Sequence, residues 1–278
     1  MTRSWGSGFP GGELTARIVT SLVGLPLLLG ALWLGGQWWI TVVAVVTIGG
    51  TMEFARLHAA LSSVGRTLVI GGAAAAAAII ARGPTSVVPW ALVIAGGIVV
   101  LVGVVPLLAS RGPIGLGWVP SVWVAVPLGI AYLGGPSGVL VRWRSENFPA
   151  VVVFLAIVWG NDIAAYFVGS RIGRHKLALR ISPGKSWEGA IAGALVAGGI
   201  GMWVAPVLGL SALGGGMFGV ITSVASQGGD LFESALKRRV GVKDSGRMLP
   251  GHGGILDRFD GILFAAPLGY ALFHAWTS

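Results

Sequence analysis

The chain has 278 residues, of which 54% are hydrophobic and only 10% are charged, and it carries a formal net charge of +9 at pH 7. A mean hydropathy of +0.83 excludes a water-soluble domain, and the repeated apolar runs are close to the roughly 20 residues that a helix needs to cross hydrocarbon. The absence of cysteine excludes disulfides, thiolate zinc sites and cysteine nucleophiles.

The apolar runs predict an all-α fold, a polytopic helical bundle of about nine transmembrane helices that forms one membrane-embedded domain over residues 1–278. The first run follows a short N-terminal segment without a small-residue cleavage site, so it is interpreted as a retained span. The predicted spans are Ala16–Leu34, Trp38–Phe54, Thr67–Ala81, Val88–Leu108, Ile114–Leu133, Pro149–Val168, Trp187–Leu208, Gly214–Ser226 and Ile262–Trp276.

Lys and Arg are distributed unevenly over the loops that these spans define. Of the nineteen, only Arg82, Arg142 and Arg144 fall on one side, and all the others fall on the side of the N-terminus. This bias predicts a multi-pass protein of the plasma membrane whose N-terminus and two large charged loops face the cytoplasm. The positive charge is interpreted as topology and attraction to anionic lipid, and no nucleic acid partner is predicted.

The first large charged region runs from Trp159 to Gly189. Asn161 and Asp162 lie in an apolar run, and Tyr166 follows Asp162 by one turn, so a helix presents the acid and the phenol on one face. Polar and ionisable side chains in membrane helices are costly and usually functional. Asp162 is therefore a candidate site residue, with a hydrogen bond between helices as the structural alternative.

Lys185 and Ser186 lie in the segment SPGKSWEG of the same region. The segment is not a phosphate-binding P-loop, because that pattern requires glycine where the chain has Leu179. Ser182 and Ser186 are nevertheless predicted N-caps. A helix N-terminus beside a lysine is suited to bind an anion.

The second charged region, from Gln227 to Asp260, holds five of the ten acids and six of the nineteen Lys and Arg. If the eighth span continues as a helix, it presents one polar stripe on a single face. The stripe consists of Gln227, Asp230, Ser234 and Lys237. Asp257 and Asp260 share a face at the start of the last span, after glycines that admit a ligand close to the backbone.

These two helices present acids that can converge on a cation. Oxygen ligands without His or Cys favour Mg²⁺, which proteins commonly hold with one or two carboxylates and the phosphates of a substrate. The Lys and Arg of the same region would then meet the remaining phosphate charge. The alternative is a solvated network of ion pairs at the membrane surface.

The run from Ser234 to Asp260 matches the pattern S-x-x-K-R-x4-K-D-x5-P-x-H-G-G-x-x-D-R-x-D at every fixed position. This pattern resembles the C-terminal signature of the phosphatidate cytidylyltransferases, or CDP-diacylglycerol synthases. The segments QGGDLFES, N-D-x-x-A-Y-x-x-G and SPGKSWEG are also similar to that family, so the motifs cover about the C-terminal half. Two positions depart from it, because Gly184 stands where the family commonly has Lys and Ser186 where it has Thr.

The resemblance implies an enzyme that transfers CMP from CTP to phosphatidic acid, giving CDP-diacylglycerol and pyrophosphate, with Mg²⁺ as cofactor. Catalysis would rest on positioning and charge neutralisation, because the lipid phosphate is already anionic. Asp230 and Asp257 are the predicted magnesium ligands, with Asp260 as a further one. Asp230, Asp257, Lys237 and Arg258 form the predicted catalytic set. The predicted substrate-binding residues are Lys185, Ser186, Arg238, Lys243, His252, Ser234 and Asp162.

Other functions remain open from the sequence. A related CTP-dependent transferase or kinase would act on an isoprenoid or ether lipid, and a cation-coupled transporter would bind its ion with the acids. A transporter favours charges at mid-membrane depth in broken helices, whereas these charges lie at the predicted cytoplasmic ends. Small-residue faces in the first spans permit a homodimer without requiring one.

Overall fold

The computed structural model describes residues 10–58, 61–84 and 122–277, together with residues 88, 94, 96 and 97. These residues are mostly helical. The helices are α1 (Pro10–Leu34), α2 (Gly36–Leu57), α3 (Ser63–Arg82), α4 (Val122–Gly129), α5 (Gly135–Glu146), α6 (Phe148–Ile172), α7 (Trp187–Val204), α8 (Ala212–Arg239) and α9 (Leu256–Thr277). A π-helical turn, Ile130–Gly134, joins α4 to α5, and a 3-10 turn, Ala205–Leu208, follows α7.

Six segments among the described residues are long and apolar enough to cross a membrane. They are Thr15–Leu34, Gly36–Leu57, Ser63–Arg82, Val124–Glu146, Phe148–Ile172 and Trp187–Leu208. The helices therefore support the predicted multi-pass membrane fold, but the predicted count of about nine spans is not confirmed.

The remaining predicted spans have different outcomes. Val88–Leu108, apart from residues 88, 94, 96 and 97, and the first part of Ile114–Leu133 lie outside the described residues. Gly214–Ser226 and Ile262–Trp276 are helical, as parts of α8 and α9, but neither helix is among the six candidate spans. Charged and polar residues at the end of α8 and the start of α9 lower the apolar character of both helices.

A short hairpin precedes α7 and departs from the all-α prediction. Its strands, β1 (Lys176–Ala178) and β2 (Ser182–Ser186), pair antiparallel. Ser186 is confirmed as the N-cap of α7, because its hydroxyl accepts a hydrogen bond from Gly189 N at 3.2 Å. Ser182 begins β2 instead of a helix.

Helices α7, α8 and α9 pack closely through glycines. A Cβ added to Gly201 of α7 would collide with the carbonyl oxygen of Gly215 in α8. A Cβ added to Gly229 of α8 would lie 2.7 Å from the carbonyl oxygen of Asp260 in α9. Small residues let helix backbones approach closely in membrane proteins. These glycines therefore fix the position of α8 against both neighbours.

The helices share two ends that differ in chemistry. At one end, Arg142 Nη1 donates to the carbonyl oxygens of Ile80 and Gly83, at 3.1 and 2.8 Å, and Arg144 Nε donates to Leu32 O at 2.6 Å. These arginines thus bind the C-terminal ends of α3 and α1. The hairpin and the loop between α8 and α9 lie together at the other end of the bundle, so both charged regions predicted to share a face do so.

Candidate active site

The hairpin brings the first charged region onto α8. Lys185 Nζ donates to Asp230 Oδ2 at 2.6 Å, with about a quarter of each side chain exposed. Two turns later on α8, Arg238 Nε donates to Ile181 O at 3.2 Å. The helix runs unbroken from Ala212 to Arg239, as the polar stripe requires. The two charged regions therefore form one surface.

A cavity of about 360 Å³ opens between α6, the hairpin and α8. Four predicted site residues line it, namely Asp162, Lys185, Ser186 and Asp230. Tyr166, predicted to share a face with Asp162, also lines the cavity and is exposed there. The cavity thus joins the acid of α6 to the lysine of the hairpin and the acid of α8.

The wall of this cavity is held by Asn161, which is fully buried. Its Oδ1 accepts hydrogen bonds from Ser223 Oγ at 2.7 Å and from Gln227 Nε2 at 2.8 Å, both on α8. Its Nδ2 donates to Asp162 Oδ1 at 2.9 Å within α6. The hydrogen bonds between helices, which were the structural alternative for Asp162, are therefore made by Asn161. The Asp162 carboxylate remains on the cavity side.

Lys237 lies between two acids near the end of α8. Its Nζ donates to Asp257 Oδ1 at 2.6 Å and contacts the carboxyl group of Glu233, one turn earlier. Asp257 Oδ2 also accepts hydrogen bonds from Ser245 N, Ser245 Oγ and Gly254 N, at 2.9, 3.0 and 2.8 Å. Burial acts to raise the pKa of Asp257, but Lys237 and these backbone donors outweigh it and lower the pKa below its usual value. Asp257 is therefore held as a carboxylate.

Glu233 has the opposite electrostatic environment. Its side chain is fully buried, and burial raises its pKa to about 8 against the opposing effect of Lys237. Near neutral pH, the ammonium group of Lys237 therefore faces the carboxylate of Asp257 and the protonated carboxyl group of Glu233. Glu233 was not among the predicted site residues. The sequence feature that could have identified it is its position four residues before Lys237 on the same helix, where the two side chains are neighbours.

This proton on Glu233 makes stability depend on pH. Because the folded pKa of about 8 exceeds the ordinary value of 4.5, the contribution is full below 4.5 and is lost progressively as the pH rises through 8. We expect the melting temperature of the wild type to fall over this range by more than that of Glu233→Gln, which has no proton to lose. Thermal unfolding in detergent at a series of pH values checks this; parallel curves for the two proteins would contradict it.

Asp230 and Asp260 meet across the contact between α8 and α9. Their side chains are within hydrogen-bonding reach, and burial together with the nearby Asp230 and Glu233 raises the pKa of Asp260 well above its usual range. A Cβ on the adjacent Gly261 would lie 3.2 Å from Asp230 Oδ1, which shows how close the helices are. Two carboxyl groups this close favour sharing a proton or a cation.

The three predicted magnesium ligands are not gathered into one cluster. Within the described part of the chain, no group of three or more His, Cys, Asp or Glu side chains is arranged to hold a metal. Asp230 and Asp260 lie together, whereas Asp257 faces Lys237. A pair of carboxylates nevertheless suits Mg²⁺, which takes its remaining ligands from water and substrate phosphates.

The other predicted residues lie around this centre. Arg258 Nε donates to His252 O at 2.9 Å, and the Arg258 side chain is exposed. Lys243 is exposed in the loop after α8, and Ser234 is partly buried on α8. His252 Nε2 lies 3.3 Å from Ser21 Oγ of α1.

Helix α1 packs against the loop that contains His252. Arg17 Nε donates to Gly251 O at 3.0 Å, and Thr20 Oγ1 donates to Pro250 O at 2.9 Å. Much of the rest of α1 exposes large apolar side chains. The polar loop is therefore attached to a helix whose surface is suited to lipid.

Comparisons with known proteins find similarity to one family over nearly the whole chain. The sequence profile described as the cytidylyltransferase family matches residues 15–276. A protein of Brucella suis biovar 1 (strain 1330) named phosphatidate cytidylyltransferase is 35% identical over 93% of this chain and 92% of its own length. Proteins of the same name from Pseudomonas aeruginosa and Synechocystis sp. are 35% and 32% identical over 94% and 92% of this chain, and 97% and 95% of their own lengths.

Proposed function

Because this chain belongs to the cytidylyltransferase family, we propose that it transfers CMP from CTP to phosphatidic acid, releasing pyrophosphate and forming CDP-diacylglycerol. The chain is a nucleotidyltransferase of phospholipid biosynthesis, similar over nearly its whole length to proteins named phosphatidate cytidylyltransferase. One observation supports the proposal most strongly. Lys185 pairs with Asp230 at an open cavity, and this cavity lies at the same end of the apolar bundle as the signature loop, which is the loop of residues 240–255 between α8 and α9.

The two substrates of this reaction differ in polarity and would approach from different directions. CTP is water-soluble, and the cavity of about 360 Å³ between α6, the hairpin and α8 is open and has Asp162, Lys185 and Asp230 in its lining. We assign it to the nucleotide, with Lys185 and Ser186 near its phosphates. Phosphatidic acid lies in the leaflet, so its phosphate would come from the side of α1, toward His252 and Arg258.

In the proposed reaction, a phosphate oxygen of phosphatidic acid attacks the α-phosphorus of CTP in line. A new P–O–P bond forms, the bond between the α-phosphorus and the bridging oxygen breaks, and pyrophosphate leaves with that oxygen. Lys185, Lys237 and Arg258 would balance the phosphate charges, with Arg238 and Lys243 at the edge of the site. The attacking oxygen is anionic at neutral pH, so a general base is not required.

We further propose Mg²⁺ as cofactor, which Asp230 and Asp260 would hold, with Asp257 as a further carboxylate available to it. Bound Mg²⁺ would neutralise charge on the triphosphate and on the leaving pyrophosphate. The proximity of Asp230 and Asp260 supports the assignment. Lys185 and Lys237 would move from their carboxylates to phosphate oxygens as the substrates arrive.

The topology and assembly are proposed on different grounds. The uneven distribution of Lys and Arg supports a cytoplasmic location for the N-terminus and the active site in the plasma membrane. A cytoplasmic site also suits CTP. The exposed apolar surface of α1 is compatible with lipid or with a second copy of the chain in a homodimer.

The test is pyrophosphate release by detergent-purified protein supplied with CTP, phosphatidic acid and Mg²⁺. We expect release that requires all three, together with a CDP-lipid product identified by mass spectrometry. Isoprenoid and ether lipid phosphates serve as competing acceptors. Pyrophosphate release with one of these lipids and none with phosphatidic acid would show that the lipid substrate is a different one. CTP-independent cation transport in vesicles, with no release, would favour the transporter.

A further inference from the structure

Glu53 of α2 is fully buried, although it is a carboxylic acid in an apolar helix. Its Oε1 accepts a hydrogen bond from Ile255 N at 3.1 Å, and its Oε2 accepts one from Leu256 N at 2.9 Å. Ser245 Oγ also lies within hydrogen-bonding distance of Oε2, at 3.1 Å. The donors belong to the signature loop and the start of α9, about 200 residues away in sequence.

These contacts explain why an acid is found at this position. The first backbone N–H groups of a helix have no partner within the helix, and the helix dipole favours negative charge at this end. Glu53 supplies both acceptors from a neighbouring helix. Gly246 and Gly254 pack directly on the carboxyl group, because a Cβ on either residue would collide with it. The loop is therefore shaped around Glu53.

A single hydroxyl connects Glu53 to Asp257. Ser245 Oγ lies 3.1 Å from Glu53 Oε2 and 3.0 Å from Asp257 Oδ2. Its one proton can be donated to only one of the two carboxyl groups at a time. The backbone N–H of Ser245 is also 2.9 Å from Asp257 Oδ2. Displacing Glu53 would therefore move Ser245 and, through it, the carboxylate of Asp257.

We propose that Glu53 is a positioning residue for nucleotidyl transfer, which fixes the signature loop and the first turn of α9 so that Asp257 is correctly oriented. This inference rests on the proposed function of the site. Glu53 itself faces the loop from behind and acts through Ser245, Ile255 and Leu256. Glu53 therefore affects the orientation of the reacting groups and not the affinity for the nucleotide.

The test compares Glu53→Gln with Thr47→Val. Glutamine keeps the volume of the side chain but turns an NH₂ group toward at least one N–H or O–H donor. Thr47→Val removes a buried hydrogen bond to Ser137 Oγ elsewhere on α2, and so controls for general damage to that helix. We expect Glu53→Gln to lower kcat by at least about tenfold, with the KM for CTP within about twofold, and Thr47→Val to change neither.

Hydrogen–deuterium exchange of the two purified variants provides a readout that does not depend on activity. Peptides covering residues 245–257 should exchange faster in Glu53→Gln than in wild type and in Thr47→Val, while peptides of α6 and α7 stay protected. Unchanged exchange, unchanged kcat, or a rise in KM alone would overturn the proposal. If the wild type itself showed no transfer to phosphatidic acid, the proposed function would fail, whereas the exchange result would still decide whether Glu53 holds the loop.

Discussion

Asp257→Asn is expected to abolish turnover while the protein still folds and inserts. The change removes the negative charge opposite Lys237. It also turns an amide NH₂ toward the donors of Ser245 or Gly254, which bind a carboxylate in the wild type. Breaking one partner of a buried ion pair costs about 3–5 kcal/mol of folding stability. Separately, loss of the carboxylate from the proposed site is expected to lower kcat by at least about a hundredfold, which corresponds to about 2.7 kcal/mol in the activation barrier. Pyrophosphate release and CDP-lipid formation measure the effect.

Glu146→Gln is a matched control for that experiment. It also converts a partly buried acid to its amide, and breaks an ion pair with Arg142 at 2.7 Å and a hydrogen bond from Tyr270 at the far end of α9. Both variants should unfold at lower temperature than the wild type. Only Asp257→Asn should lose activity per folded molecule. Activity close to wild type in Asp257→Asn, or an equal loss in Glu146→Gln, would show that Asp257 has no special part in the reaction.

The helices could be predicted from the sequence because their signals are local. Runs of apolar residues and the spacing of polar residues on α8 depend on neighbours within a few turns. Among the described residues the predicted runs lie in helices, although one apolar segment extends to Glu146 instead of ending at Leu133. The hairpin was missed, because strands of three and five residues carry almost no pattern of their own. The number of spans could not be fixed, since α8 and α9 change from apolar to charged within one helix.

Candidate residues of the site could be proposed from the sequence, but their pairing could not. Spacing along one helix predicted the stripe from Gln227 to Lys237, whereas the partners of Asp230 and Asp257 depend on how α8 packs against the hairpin and α9. Asn161 and Glu53 form hydrogen bonds with residues about 60 and 200 positions away in the sequence. Hydropathy and spacing carry no information about such contacts. The sequence therefore indicates which residues form the site and leaves open which of them touch.

The separation of the acids into two groups suggests two different functions within one site. Asp230 lies beside Asp260 and Lys185, on the wall of the cavity assigned to CTP. Asp257 is held by Lys237 and by the signature loop, which contacts α1 on the side from which the lipid phosphate is proposed to approach. The proposed reaction between a nucleotide and a lipid would use both groups, and the close contact of α8 with α9 at Gly229 keeps them together.

Asp230→Asn is therefore expected to lower kcat by about a hundredfold or more and to raise the Mg²⁺ concentration that gives half-maximal activity. The reason is that the change removes one of two adjacent carboxylates proposed to share the ion with substrate phosphates. Lys185→Met serves as the comparison, since it removes the ammonium group at 2.6 Å from Asp230 and leaves both carboxylates intact. It should raise the KM for CTP and leave the magnesium requirement unchanged or lower, because the lysine no longer competes for Asp230. An unchanged magnesium requirement in Asp230→Asn, even with reduced kcat, would show that the ion is held elsewhere and that Asp230 serves only to orient Lys185.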